Sequence, residues 1–129
     1  MQIKRIVLSG MATMVLILSI ELNAQSPYEL NKTQWMKEVS IQLPKEVCTD
    51  SSFFRSCYEI TQQECLAKAE SSLKTCLGAT PIPNVVSSLT HGQKLGLKVG
   101  GCLGVALQKE FRKKKKEIPE CESRHFSTN

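Results

Sequence analysis

Aromatic side chains are scarce in this sequence, with one Trp, two Tyr and four Phe among 129 residues. Aromatics bury the largest areas of any side chain, so a chain with so few has material for only a modest core. Histidine is scarcer still, with His91 in a turn-like stretch and His125 in a polar tail. A thiol enzyme needs a general base beside its nucleophile, and both histidines read as solvated side chains instead. The chain contains no Gly-x-Ser-x-Gly elbow, no Walker-type loop and no dinucleotide fingerprint, so the chemistries that depend on those turns lack their signatures. Glu59 or Glu64 with Asp50 form only the kind of carboxylate pair that any helix surface offers. The cysteines stand at 48, 57, 65, 76, 102 and 121, and no two are spaced as a zinc finger or ribbon requires, since such sites grip the ion through a pair two or three residues apart. The sequence therefore reads as non-enzymatic, with no cofactor and no metal.

The one long apolar run lies at the start. Lys4 and Arg5 precede the stretch from Ile6 to Ile20, and Leu22-Asn23-Ala24 supplies a small residue before a cleavage point, which is the pattern of a secretory signal. Ser9, Gly10, Thr13 and Ser19 dilute the run, and ~15 residues fall short of the ~20 that span a bilayer. Cleavage after Ala24 is expected, leaving a periplasmic or secreted chain. No cysteine follows the cut, so a lipoprotein anchor is not expected. The remainder keeps all six cysteines, with 15 basic and 11 acidic groups. An even cysteine count in a small exported chain predicts three disulfides in an oxidising compartment, each worth ~2 to 4 kcal/mol.

The mature chain divides into an N-terminal adaptor (25–47), a disulfide-stabilised helical domain (48–122) and a polar tail (123–129). In the adaptor, Asn31 caps a short helix carrying Trp35, Met36 and Val39, with Gln34 as capping-box partner. Ile41, Leu43 and Pro44 then favour an extended stretch. The first long helix is predicted over about 52–77, where Phe54, Tyr58, Cys65, Ala69, Leu73 and Cys76 share one face. Gly78, Pro81 and Pro83 end it and turn the chain.

A second helix is predicted over about 93–115 despite its glycines, each of which costs ~1 kcal/mol against Ala. Periodicity outweighs propensity there. Lys94, Lys98, Lys109 and Arg112 fall on one side, and Val99, Leu103, Leu107 and Phe111 on the other. Gly96, Gly100 and Gly104 form a row that predicts close packing against the first helix, with Gly100→Leu overpacking the contact and Lys98→Leu harmless. The fold class is all-α, an antiparallel helical hairpin stapled by disulfides with a short N-terminal helix across it.

Within one continuous helix Cys57, Cys65 and Cys76 cannot bond each other, because eight residues already span ~12 Å. A hairpin turning near residue 85 pairs Cys48 with Cys121 and leaves Cys102 to either Cys65 or Cys76. Cys57 takes the remaining partner only if the helix kinks near Thr61. Arg112, Lys113, Lys114, Lys115 and Lys116 read as a solvated helix end, with contact to an anionic membrane surface as the sharper alternative. No aromatics interleave these lysines, so nucleic acid is not an expected partner.

The segment Phe53-Phe54-Arg55-Ser56-Cys57-Tyr58, then Cys65, Cys76, a proline turn, and Gly96 through Gly100-Gly101-Cys102-Leu103-Gly104, resembles the small cysteine-rich proteins exported by Gram-negative bacteria. The resemblance covers roughly 48–111 and implies no activity. Saposins, secreted phospholipases and plant lipid-transfer proteins also carry six cysteines on helices, but this chain lacks their Cys-x-x-Cys, Cys-Cys-x-x-His-Asp and Cys-x-Cys signatures. The expected function is binding: an envelope accessory subunit, an inhibitor or immunity-type binder, or a secreted factor, with another envelope or extracellular protein as partner. The alternative is a small lipid-binding or membrane-surface protein that uses the basic end.

Overall fold

The computed structural model describes residues 28–122, so the signal sequence, its cleavage after Ala24, His125 and the tail from 123 onward lie outside the described residues. The chain enters through a short strand, β1 (Glu29–Asn31), and passes directly into α1 (Lys32–Val47). The capping box forms: the Asn31 side chain accepts from the Gln34 backbone N–H at 2.9 Å, and the Gln34 side chain accepts from the Asn31 N–H at 3.3 Å. The helix does not stop short, however, and the stretch expected to be extended, Ile41 to Pro44, is helical. Pro44 sits near the end of α1, where its missing N–H forfeits a single ladder bond. Its ring is buried, and its carbonyl still accepts from Cys48 N at 3.2 Å.

The helix predicted over 52–77 breaks in two, giving α2 (Phe53–Cys57) and α3 (Gln62–Ala79). Thr61 starts α3 with its own capping box, accepting from Glu64 N–H at 3.1 Å while Glu64 accepts from Thr61 N–H at 2.8 Å. Residues between the two helices find their backbone partners in the basic run: Glu59 N–H donates to Lys114 O and Lys116 N–H to Cys57 O, both at 2.8 Å. Such exchange satisfies amides that a continuous helix would have paired internally. The face predicted for the single helix survives the break, because Phe54, Tyr58, Cys65, Ala69, Leu73 and Cys76 are all buried.

After α3 the chain runs through Pro81-Ile82-Pro83 to β2 (Val85–Ser87), which pairs antiparallel with β1 in the register Glu29–Ser87, Leu30–Val86 and Asn31–Val85. A π-helical turn (Ser88–Gly92) leads into α4 (Gln93–Glu110). The second helix thus ends at Glu110 and not near 115. A 3₁₀ turn (Arg112–Lys114) follows, then an extended link and α5 (Pro119–Glu122).

The disulfides are Cys48–Cys65, Cys57–Cys121 and Cys76–Cys102. The pairing of Cys48 with Cys121 is therefore corrected, and Cys102 takes Cys76. One shift explains much of the difference. Cys76–Cys102, Lys68–Glu110, Glu64–Lys114 and Cys57–Cys121 all share a midpoint at residue 89. The hairpin turns four residues later than expected, because the proline segment, β2 and the π-helical turn occupy the connection. Cys48 then lies one disulfide away from Cys65, tying α1 to α3 with Cα atoms 5.7 Å apart.

The core lies where α1, α3 and α4 meet, around Trp35, Leu73, Val99, Leu103 and Leu107. Four of the seven aromatics gather beside it: Phe54 stacks on Tyr58 with centroids 5.6 Å apart, Phe53 meets Tyr58 edge-on, and Phe111 lies 6.3 Å from Tyr58. Burial pushes the pKa of the Tyr58 hydroxyl up.

Two of the three glycines in the row differ from the prediction. A Cβ added at Gly96 or Gly100 would meet nothing within 4 Å, so neither glycine is needed for close approach, whereas Gly104 is buried. Helices α3 and α4 are joined by Cys76–Cys102 and bury Leu73, Val99, Leu103 and Leu107 in the common core. Gly96→Ala and Gly100→Ala are each expected to raise stability by about 1 kcal/mol through helix propensity, or ~4 to 8 °C in Tm for a domain of this size. A fall in Tm measured by calorimetry for either variant would contradict the open space at these positions. Among the described residues no helix is long and apolar enough to cross a membrane.

Candidate functional site

A cleft of about 780 Å³ opens where the end of α3, the proline segment and the start of α4 converge beside the first residue of α1. Helix α3 ends at Ala79, and Thr80 turns its hydroxyl back to the Cys76 carbonyl at 2.8 Å. The chain then leaves in an extended course, held by the fixed φ of two prolines. Ile82 and Leu95 of α4, both buried, supply apolar lining. The rim is basic. Lys94 and Lys98 stand one helical turn apart on α4, His91 lies one turn before them, and Lys32, the first residue of α1, also lines the cleft. None of the three lysines forms an ion pair among the described residues, and no acidic side chain lines the cleft. The His91 ring is exposed and holds Nδ1 3.1 Å from the Thr90 hydroxyl.

Sequence reasoning placed Lys94 and Lys98 on an exposed helix face, which is correct, but gave them no role. It missed the cleft because Pro81-Ile82-Pro83 read only as a turn. Pro81 and Pro83 flanking an isoleucine are the signal for an extended wall with one apolar tooth. A smaller depression of about 340 Å³ between α1 and α3 carries Glu70 and Lys74 on its edge.

The basic run takes a different form from the one expected. Arg112 to Lys114 form the 3₁₀ turn, and Lys115 pairs through its backbone with Tyr58 in an antiparallel bridge. The segment is a strap across the α2–α3 junction, closed by Cys57–Cys121. Lys114 Nζ lies 2.8 Å from Glu64 Oε1, and Lys115 Nζ 3.6 Å from Glu122 Oε2. Arg112, Lys113 and Lys116 form no ion pair among the described residues. No group of three or more metal-ligating side chains occurs among the described residues either.

Compared with known families, residues 29–118 match the model of NttA, described as a substrate of the type II secretion system (T2SS). The chain belongs to the NttA family of type II secretion substrates. No curated protein and no solved structure matches it. The matched span takes in the cleft, the strap and five of the six cysteines, from β1 to the link before α5. Membership makes this a small exported protein of Gram-negative bacteria, and its three disulfides suit an oxidising compartment.

Where the strap meets α3, Lys114 holds a carboxylate of unusual acidity. The Lys114 ammonium donating to Glu64, and then the Thr61 backbone N–H, lower the Glu64 pKa from 4.5 to about 2. A depressed pKa stabilises the fold above the ordinary value, and that contribution fades as pH falls from 4.5 toward 2. Glu64→Gln is therefore expected to be less stable than the parent at pH 7, with the difference closing over that acid range. Urea unfolding at several pH values measures it, and a constant difference would contradict the pairing.

Proposed function

We propose that this chain is a secreted, non-enzymatic binding protein that acts outside the cell by holding a ligand in the cleft between α3 and α4. The observation that carries the reading is the cleft itself, with apolar lining and three lysines that have no acidic partner among the described residues. Its volume is that of a ligand site, since such pockets run from about 300 to 1,000 Å³. The walls are stiff. Cys76–Cys102 fixes one side and the prolines the other, so little conformational freedom is lost when the site fills. Membership in a family of type II secretion substrates favours a secreted factor over an envelope subunit.

The other reading, a membrane-surface protein using residues 112–116, draws less support. Two of its five cations are already paired, and the strap backbone is committed to the α2–α3 junction.

Native mass spectrometry tests the cleft reading. The disulfide-intact protein, equilibrated with an extract of small molecules, lipids and peptides, is expected to retain a species whose mass is unchanged on release. Gly78→Leu should lose it: Gly78 lines the cleft and is exposed, and a Cβ added there meets nothing within 4 Å, so the branch point is accommodated without a backbone shift. Retention of nothing, or equal retention by both proteins, overturns the reading.

A further inference from the structure

We infer that the cleft takes a single-chain anionic amphiphile, a molecule with one carboxylate head and a flexible apolar tail, an inference that rests on the cleft being the binding site. The polarity of the ligand follows from the two kinds of lining. Lys94 and Lys98 stand on one face of α4 a turn apart, and Lys32 of α1 lines the same cleft. Lysine ammonium groups engage a carboxylate as strong, charge-assisted donors. Because these three form no ion pair among the described residues, an incoming anion displaces no internal partner.

The apolar part follows from the opposite wall. Pro81 and Pro83 have no N–H to donate, so the extended segment offers a poor ladder to a peptide strand. It does offer pyrrolidine rings and the edge of Ile82, with Leu95 also among the lining. An alkyl tail needs no hydrogen bonds and packs on such a wall, whereas a peptide backbone would leave polar groups unpaired against it. The openness of the site at Gly78, where a Cβ meets nothing, leaves room along the end of α3 for the tail to lie.

The test uses sodium decanoate below its micelle-forming concentration as probe, added to the isotope-labelled, disulfide-intact protein and followed by amide chemical shifts. Saturable shifts at Ile82, Leu95, Lys94 and Lys98 are expected. Decyltrimethylammonium, with the same tail and the opposite charge, and acetate, with the head alone, should each bind at least ~10-fold more weakly, as should the double variant Lys94→Gln, Lys98→Gln with decanoate. Gly78→Leu should abolish the shifts while its melting temperature stays at or above that of the parent.

Equal binding of decanoate and decyltrimethylammonium, shifts confined to other parts of the molecule, or decanoate binding that survives Gly78→Leu would each overturn the inference. So would shifts at these residues with phosphatidylglycerol-containing vesicles but none with decanoate, an outcome that assigns the face to a bilayer. The two levels separate cleanly. If decanoate fails while Gly78→Leu still abolishes retention of an extracted species, the ligand class is wrong and the cleft reading stands. If nothing is retained by the parent protein, the cleft reading has failed first.

Discussion

Replacing Cys57 and Cys121 together by serine is expected to cost about 4 kcal/mol, more than removal of either other bridge. The chain-entropy argument ties the gain from a disulfide to the length of chain it closes. Cys57–Cys121 spans 64 residues, against 26 for Cys76–Cys102 and 17 for Cys48–Cys65, which gives roughly 4, 3.5 and 3 kcal/mol in that order. Domains of this size hold only ~5 to 15 kcal/mol in total, so the loss is a large fraction of the whole. It also has a place. The bridge closes the strap, whose remaining ties to the α2–α3 junction are the backbone bonds at Glu59 and Lys116 and the Lys114–Glu64 pair. Trypsin should therefore cut the serine variant at Lys113 to Lys116 well before it cuts the parent. Guanidinium unfolding gives the ranking and timed digestion gives the place. A larger loss from the Cys48–Cys65 pair, or a strap no easier to cut, would show that the strap is held by something other than this bridge.

Much of this fold was legible because periodicity reports which side of a helix is buried even where the helix is interrupted. Val99, Leu103, Leu107 and Phe111 share one side of the helix predicted over 93–115, and all four are buried. The Asn31 cap was legible for a similar reason, since a capping box is a local signal that neighbouring elements do not alter. Thr61-Gln62-Gln63-Glu64 carries the same signal and went unread, because it lies inside an apolar pattern that reads as one helix. A single helix leaves Cys57 a partner only through a kink near Thr61, where the chain does break, and the expected Cys48–Cys121 pairing follows from a turn near residue 85, four residues before the observed midpoint of Cys76–Cys102 and Cys57–Cys121.

The rest was out of reach for a different reason. β1 and β2 are three residues each and lie 54 residues apart at their facing ends, Asn31 and Val85 with Glu29 opposite Ser87, and strands so short have no periodicity of their own. Their pairing depends on the packing of α1 on α3, which is a tertiary fact. The cleft is tertiary in the same sense. Lys32 and Lys98 are brought to one rim only after the proline segment, β2 and the π-helical turn have set where α4 begins.

Leu103→Ala is expected to cost between ~2 and ~5 kcal/mol, toward the upper end, while Leu97→Ala, at a position 72% exposed, should stay within ~0.5 kcal/mol. The cost of such a truncation depends on how far the surroundings can close over the cavity. Leu103 is fully buried, and its neighbour Cys102 is bonded to Cys76 with Cα atoms 5.9 Å apart, so α4 is pinned to α3 beside the lost side chain. The helices cannot settle toward each other there, and the cavity persists. A cycle that repeats Leu103→Ala in a Cys76→Ser, Cys102→Ser background isolates this effect, because neighbouring sites that share a constraint do not add. The truncation should cost less in the serine background by ~0.5 kcal/mol or more, the scale of coupling between contacting residues. Equal costs in the two backgrounds would mean that the packing around Leu103, and not the bridge, keeps α3 and α4 at their distance.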